Sequence, residues 1–207
     1  MAWIAEDKFN TDADGDLDAN SGGTSWNGNW VSDASHDVQG TVTAEGAKAV
    51  SFALKAGTGI SKRAIVAISA GIVYVSVRAA QVNQPFYVIL RSADAGKMYV
   101  QFATDGNIKV YNGTTSVYDT LQAYTANTWY RIGIEFDDAA QADLYRVNVD
   151  GGAFSAWKGT NGTYATIDEF HLDAVDMTAG TFYIDAISPT YSLLAATSGK
   201  NFLAFMM

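Results

Sequence analysis

Short apolar runs that alternate with polar residues recur along the chain, and this pattern predicts β-strands. The clearest case is WYRIGIEFD at 129–137, whose second, fourth, sixth and eighth residues are large and apolar. The segment IDEFHLD at 167–173 alternates in the same way, with Phe170 and Leu172 on its apolar face. Because side chains on a strand alternate between its two faces, one face of each segment should line a core.

The same pattern extends over most of the sequence, whereas helical periodicity is weak. Runs of β-branched and aromatic residues are bounded by Gly, Asn and Asp, as expected for strands joined by tight turns. We predict strands at 4–9, 38–44, 48–55, 62–69, 72–81, 86–92, 97–104, 107–112, 128–137, 143–149, 166–173 and 181–187. This series predicts an all-β fold of two packed antiparallel sheets, in a sandwich or jelly-roll arrangement.

Length and composition favour a single packed domain. The chain has 207 residues, of which 48% are hydrophobic, and a single β-sandwich can have this size. We predict a β-sandwich domain over residues 1–191. The segment SLLAATSGKNFLAFMM at 192–207 turns apolar again, and we expect this tail to pack on the domain or on a neighbouring subunit.

The net charge and two stretches of the sequence limit the expected partners and membrane contacts. The formal net charge is −9 and the basic residues are scattered, so we expect no nucleic-acid partner. The start, MAWIAEDKF, lacks the basic and apolar regions of a secretory signal, so no signal peptide is predicted in this chain. The apolar stretch at 64–77 is shorter than the roughly 20 residues that a membrane helix needs, so no membrane insertion is predicted.

Five motifs in order suggest a known superfamily. They are EDKF (6–9), DADGDLDANSGGTSW (12–26), TANTWYRIGIEFD (125–137), YRVNVDGG (145–152) and TFYIDAIS (181–188). Their order resembles the concanavalin A-like lectin/glucanase superfamily over nearly the whole chain. The resemblance implies a jelly-roll sandwich. It leaves function open, because that superfamily includes lectins, glycoside hydrolases, polysaccharide lyases and adhesive domains of cells and viruses.

The acidic loop, residues 10–23, has the spacing of a calcium loop. Asn10, Asp12, Asp14 and Asp18 fall at oxygen-ligand positions. The last position, which should supply a bidentate carboxylate, is a serine, so a calcium ion would need a further ligand. We expect a polar connection between strands, with Ca²⁺ binding as the alternative.

The resemblance implies a second possible Ca²⁺ site. In many such sandwiches, groups from the opening strand and an Asp of the last strand hold calcium, which here would be Glu6 or Asp7 with Asp185. A carboxylate in an apolar strand must be paired, hydrogen-bonded or metal-bound if it is buried. The alternative is that Asp185 is exposed.

The segment TSWNGNW at 24–30 is the best local candidate for sugar binding. Trp26 and Trp30 offer flat aromatic faces for sugar C–H groups, and Asn27 and Asn29 offer amides for hydroxyls. The alternative is that both indoles belong to the core, as is common in β-sandwiches.

Two groups of residues have the spacing of acid–base chemistry. Glu135 and Asp137 lie two residues apart, but the third carboxylate of the glucanase pattern does not follow them. Glu169, His171 and Asp173 share one face of a predicted strand. Because polar residues on an outward strand face are ordinary, we assign no catalytic residue.

Three functions remain open from the sequence. The first is a non-catalytic structural or adhesive protein of a large assembly, such as a phage-type capsid or tail decoration protein that contacts copies of itself or other structural subunits. Its expected location is the virion surface, or outside the cell after release. The alternative is a carbohydrate-binding module for surface glycans, and the third is a glycan hydrolase or lyase.

Overall fold

The computed structural model describes residues 2–32, 36–53, 59–174 and 177–191, and these residues form an all-β fold. They contain fifteen strands and no helix, so none of them forms a helix that could cross a membrane. The predicted tail at 192–207 lies outside the described residues. The prediction of an all-β fold is confirmed.

The fifteen strands are two to ten residues long. They are β1 (Gly15–Asp16), β2 (Val31–Ser32), β3 (His36–Gln39), β4 (Ala49–Ala53), β5 (Ile60–Ile68), β6 (Ala70–Ala79), β7 (Phe86–Ser92), β8 (Ala95–Phe102), β9 (Asn107–Asn112), β10 (Val117–Ala123), β11 (Trp129–Asp137), β12 (Leu144–Val149), β13 (Lys158–Gly159), β14 (Ile167–Asp173) and β15 (Thr181–Ser188). The predicted strand at 4–9 instead forms two isolated bridges, Glu6 with Thr24 and Asp7 with Ile187.

The strands pair antiparallel in two sheets that pack as a sandwich. One sheet has eight strands in the order β1-β3-β4-β15-β6-β11-β12-β13, and the other has seven in the order β10-β9-β8-β7-β14-β5-β2. Sequence neighbours such as β7 and β8 pair directly, whereas β14 inserts between β5 and β7. This return of a late strand between earlier ones is typical of Greek-key and jelly-roll connections.

The predicted alternation places one face of each sheet in the core. Ile132 and Ile134 of β11 are fully buried from the eight-stranded side, and Phe170 and Leu172 of β14 are fully buried from the seven-stranded side. The Tyr145 side chain crosses between the sheets, and its hydroxyl donates to the Tyr111 carbonyl oxygen at 2.6 Å. These contacts use the core-facing side of the seven-stranded sheet. Its outer face is therefore available for other contacts.

Candidate functional site

Polar side chains of the acidic loop accept backbone hydrogen bonds that hold the loop in place. Asn10 Oδ1 accepts two backbone hydrogen bonds, the shorter at 2.7 Å. Asp12 Oδ1 accepts the N–H of Gly22 at 2.9 Å, and Asp18 Oδ1 accepts a backbone N–H at 2.9 Å. Three of the four predicted calcium ligands therefore already close the loop on itself or on neighbouring segments, as expected of a polar connection.

A lysine supplies the positive charge beside this loop. The Lys48 ammonium lies 3.0 Å from the Asp14 carboxylate and donates to the Asp12 carbonyl oxygen at 2.5 Å. Burial, together with the nearby charge of Asp7, raises the pKa of Asp12 to about 6. Within the described ranges, no group of three or more metal-binding side chains converges. Ca²⁺ binding by the loop therefore stays a prediction.

An arginine faces the buried carboxylate of Asp7. Arg63 lies 2.7 Å from Asp7 Oδ2, and the Trp30 indole N–H donates to the same oxygen at 3.0 Å. Asp7 Oδ1 accepts the N–H of Phe9 at 2.9 Å. The guanidinium therefore satisfies a carboxylate that the resemblance assigned to calcium. Glu6, the other opening-strand candidate, pairs with the exposed Lys8 at 3.2 Å.

Asp185 is buried, so the alternative of an exposed carboxylate is wrong. A β-bulge after Asp185 breaks the alternation of β15, and Ala186 adopts a positive φ of 48° there. Asp185 Oδ2 accepts the N–H groups of Ala44 and Glu45 at 2.8 and 2.7 Å. Burial raises the pKa of Asp185 to about 7 against these hydrogen bonds. The carboxylate is held by backbone donors.

The tryptophans of the 24–30 segment pack into the core. Trp30 is 1% exposed and lies 5.7 Å from the half-buried Trp26, measured between ring centroids. The Arg63 guanidinium stacks over Trp26 at 4.9 Å, and the Trp26 indole N–H donates to the Glu6 carbonyl oxygen at 3.0 Å. The expectation of a Trp30 face open to sugar is therefore not met, because the ring is enclosed by other side chains. Asn27 and Asn29 remain exposed.

Aromatic side chains instead line the outer face of the seven-stranded sheet. Tyr99, Tyr111 and Tyr118 come from the adjacent strands β8, β9 and β10. The rings of Tyr99 and Tyr111 lie 5.8 Å apart, and those of Tyr111 and Tyr118 lie 5.3 Å apart, both edge-to-face. Tyr118 is 37% exposed and the other two are half-buried. We call these three residues the tyrosine row.

Local contacts fix the tyrosine row. A Cβ atom on Gly96 would lie 2.1 Å from the Tyr99 hydroxyl oxygen, so only glycine allows this ring position without displacement. On the same strand as Tyr99, the Gln101 amide donates to the hydroxyl of Tyr87 on β7 at 2.9 Å. Burial and the neighbouring phenols of Tyr87, Tyr99 and Tyr111 raise the pKa of Tyr118. The Tyr118 phenol thus stays neutral and can donate or accept hydrogen bonds.

Charged residues lie on the same face, on β5, β7 and β14. Glu169 Oε1 is 2.7 Å from an Arg91 guanidinium nitrogen, and Glu169 Oε2 is 3.2 Å from the Lys62 ammonium. His171 Nδ1 lies 3.3 Å from Arg91 and 3.8 Å from Glu169. We call these four residues the charged cluster. Burial opposes ionisation of Glu169, yet hydrogen bonds from His171 and Lys62 and the charge of Arg91 lower its pKa to about 2.

Strand register joins the charged cluster to the tyrosine row. His171 is paired with Lys62 on one side and Ile89 on the other, and Ile89 is paired with Tyr99. Tyr111 and Tyr118 are also register partners. The result is one row of side chains across six strands. At a strand spacing of about 4.8 Å, the row is roughly 24 Å long.

The predicted acid–base residues of β14 do not have the spacing of a glycosidase carboxylate pair. Glu169 and Asp173 lie four residues apart on β14, which separates their Cα atoms by roughly 13 Å. Glycosidases hold their two carboxyl groups about 5 to 9.5 Å apart. Glu135 and Asp137 belong to β11 in the other sheet, where Glu135 pairs with Arg146 at 2.6 Å. The outer face of the seven-stranded sheet is therefore suited to stacking and hydrogen bonding.

Comparison of the sequence finds no match, whereas comparison of the structure finds proteins with the same fold. No protein-family model matches the sequence, and no curated protein matches it. The structure superposes on a sialidase with a TM-score of 0.59 and 16% identity, over 77% of this chain and 16% of the sialidase. It also superposes on the cellulose-induced protein Cip1 with a TM-score of 0.56 and 14% identity, over 92% of this chain and 99% of Cip1.

The fold is a jelly-roll β-sandwich. A carbohydrate esterase from the Shiga toxin-encoding bacteriophage phi24B adds a third match, with a TM-score of 0.53 and 16% identity over 77% of this chain and 88% of that one. At these identities the similarity establishes the jelly roll and nothing finer. The resemblance stated from the sequence motifs is confirmed at the level of the fold.

Proposed function

We propose that this chain is a non-catalytic glycan-binding domain whose ligand lies on the outer face of the seven-stranded sheet. The observation that carries the proposal is the row of three tyrosines that continues into the charged cluster. Sugar recognition combines aromatic surfaces for C–H groups with nearby polar groups for hydroxyls. Both lie here on adjacent strands of one rigid sheet.

The state of Glu169 supports binding rather than catalysis. A general acid works best with a pKa near the working pH. Arg91, Lys62 and His171 instead hold the pKa of Glu169 at about 2, so this carboxylate stays ionised and accepts hydrogen bonds. An ionised carboxylate beside cations is a good partner for sugar hydroxyl groups.

The matched structures give this proposal its context. Two of them are named as proteins that act on glycans, a sialidase and a carbohydrate esterase. The present chain corresponds to 16% of the sialidase, so that enzyme's activity is not carried over. What supports a glycan ligand is the combination of this fold with the aromatic and charged face.

The test is glycan binding by two tyrosine variants. Tyr111→Ala and Tyr118→Ala should each weaken binding on a glycan array by roughly fivefold or more, because an aromatic contact of about 1 to 3 kcal/mol is lost. Tyr183→Ala is the matched control, because Tyr183 lies on β15 of the other sheet, 5.2 Å from Arg78. Binding that survives both substitutions in folded protein would overturn the proposal.

The second candidate is an adhesive role in a larger assembly, such as a virion surface. The match to a bacteriophage esterase domain favours this setting, and glycan binding is a natural means of attachment. In this role the chain would contact copies of itself or other structural subunits, on the virion surface or outside the cell after release. Its test is the oligomeric mass of the full chain beside a version that ends at Tyr191. If both the full chain and the shortened version are monomers, the adhesive role in an assembly is contradicted.

A further inference from the structure

We infer that the glycan is acidic and that its carboxylate or sulfate group binds beside Lys62 and Arg91 in the charged cluster. This inference rests on the proposed function, because it names the ligand class of the same face. It follows from how the charges of this face are distributed among the strands.

Two cations share one carboxylate in the charged cluster. Glu169 gives one oxygen to Arg91 at 2.7 Å and the other to Lys62 at 3.2 Å. Asp173 lies one outward position beyond His171, in register with Tyr87 and Ile60 rather than with either cation. Within the described residues, no second carboxylate lies within ion-pair distance of either cation, although the whole chain carries a net charge of −9.

These cations are partly desolvated but still reachable. The side chain of Lys62 is 34% exposed and that of Arg91 is 18% exposed. An ammonium has three N–H donors and a guanidinium has five, so each has donors beyond those that meet Glu169. A ligand anion could accept such hydrogen bonds, which are shorter and stronger than bonds between neutral groups.

Further cations border the tyrosine row. Lys97 precedes Tyr99 by two residues on β8, and Lys109 precedes Tyr111 by two residues on β9, so each shares a strand face with its tyrosine. Lys109 pairs with Asp105 at 2.6 Å. Within the part of the chain that the structure describes, Lys97 makes no ion pair. A chain of acidic sugars along the row would thus also pass the positive charge of Lys97 beside Tyr99.

The test compares glycans that differ only in charge, with the full chain as the binder. Polygalacturonate is compared with its methyl ester, and heparin with its desulfated form. We expect the acidic member of at least one pair to bind roughly tenfold or more tightly, and increasing salt to reduce that difference. The two pairs separate a carboxylate from a sulfate as the source of the anion.

Two charge variants locate the contact. Arg91→Gln and Lys62→Gln should each remove most of the preference for the acidic member, while Lys8→Gln should leave it unchanged. Lys8 is the matched control, because its ion pair with Glu6 is exposed and lies in the N-terminal segment. Thermal melting of each variant confirms folding, and the more exposed Lys62 site keeps the test valid if Arg91→Gln fails to fold.

The outcomes separate this inference from the proposed function. Equal binding of acidic and neutral members that is lost in Tyr111→Ala overturns the acidic ligand and leaves the glycan-binding proposal standing. A preference that persists in both charge variants also overturns the inference. Binding of no glycan on the array or in either pair overturns both.

Discussion

The carboxylate of Glu169 lies 2.7 Å from the guanidinium of Arg91, and this ion pair joins two neighbouring strands on the face where we place the ligand. Lys62, on the strand at the other side of β14, lies 3.2 Å from the second oxygen of Glu169. Three strands of the seven-stranded sheet are thus tied together by one carboxylate at the surface. The pair therefore affects both stability and binding, and the two effects can be measured separately.

Glu169→Gln should lower stability at neutral pH and have little effect in acid. The pKa of Glu169 is about 2 in the folded protein, below its ordinary value of 4.5, so its contribution is present above pH 4.5 and is lost as the pH falls towards 2. The shift corresponds to at most about 3 kcal/mol. Urea unfolding at pH 7 and at pH 2.5 measures the loss. An equal loss at both pH values would contradict this explanation.

Asp185 should give the opposite pH dependence. Burial raises its pKa to about 7 from an ordinary value of 3.8, so the folded protein keeps a proton that the unfolded chain releases. Its contribution therefore makes stability fall as the pH rises from about 4 to 7, by at most about 1.4 kcal/mol per pH unit. Asp185→Asn should make the free energy of unfolding, measured with urea, depend less on pH over this range. A slope that is unchanged from the wild type would show that Asp185 does not titrate there.

Gly96→Ala should weaken glycan binding by moving Tyr99. The added Cβ would lie 2.1 Å from the Tyr99 hydroxyl oxygen, and the ring must shift to make room. We expect a loss of roughly fivefold or more in affinity, measured by calorimetry. The control is the same substitution in a Tyr99→Ala background, where no further loss should occur. Independent, additive losses would show that Gly96 does not act through this ring.

Trp30→Ala should destabilise the fold rather than remove a sugar contact. Trp30 is 1% exposed and donates to buried Asp7, so the substitution should cost about 3 to 5 kcal/mol in unfolding free energy. The milder Trp30→Phe keeps much of the packing and should still bind glycan at the wild-type level. If Trp30→Phe folds normally but loses glycan binding, the 24–30 segment is the sugar site after all.

Removal of calcium should leave the melting temperature unchanged. Arg63 already pairs with Asp7, and Oδ2 of Asp185 accepts two backbone N–H groups, so we expect no bound cation at the implied site. At a free Ca²⁺ concentration 100 times the dissociation constant, binding would raise the free energy of unfolding by about 2.7 kcal/mol. Melting with a chelator and with added Ca²⁺ measures this difference. A clear decrease with chelator would restore a calcium site.

The strand pattern predicted the fold because the core needs only period-two alternation. The central strands β11 and β14 were found from such local patterns, with their buried faces correct. The edge strand β10 (Val117–Ala123) was missed, since its residues are mostly exposed and little alternation remains. The opening segment 4–9 was wrongly predicted as a strand, because Ala5 and Phe9 fill the core while the backbone forms only isolated bridges.

The candidate site was harder to predict for a physical reason. Tyr99, Tyr111 and Tyr118 come from three strands, and only the pairing of those strands aligns their rings. Local clusters such as Trp26 and Trp30 attracted attention because they are close in sequence, but sequence alone does not show whether an indole faces the core or solvent. Glu169 and His171 were found by alternation, whereas their partners Arg91 and Lys62 required the order of the strands.

Mapping of the bound ligand tests the central claim most directly. Nitrogen-15 labelled protein would be titrated with the tightest glycan from the array, and backbone amide shifts would be followed in both sheets. We predict perturbations at the tyrosine row and at Arg91 and His171, with Glu135 and Arg146 on the opposite sheet unchanged. Perturbations confined to the eight-stranded sheet, or to the exposed Asn27 and Asn29, would contradict the account.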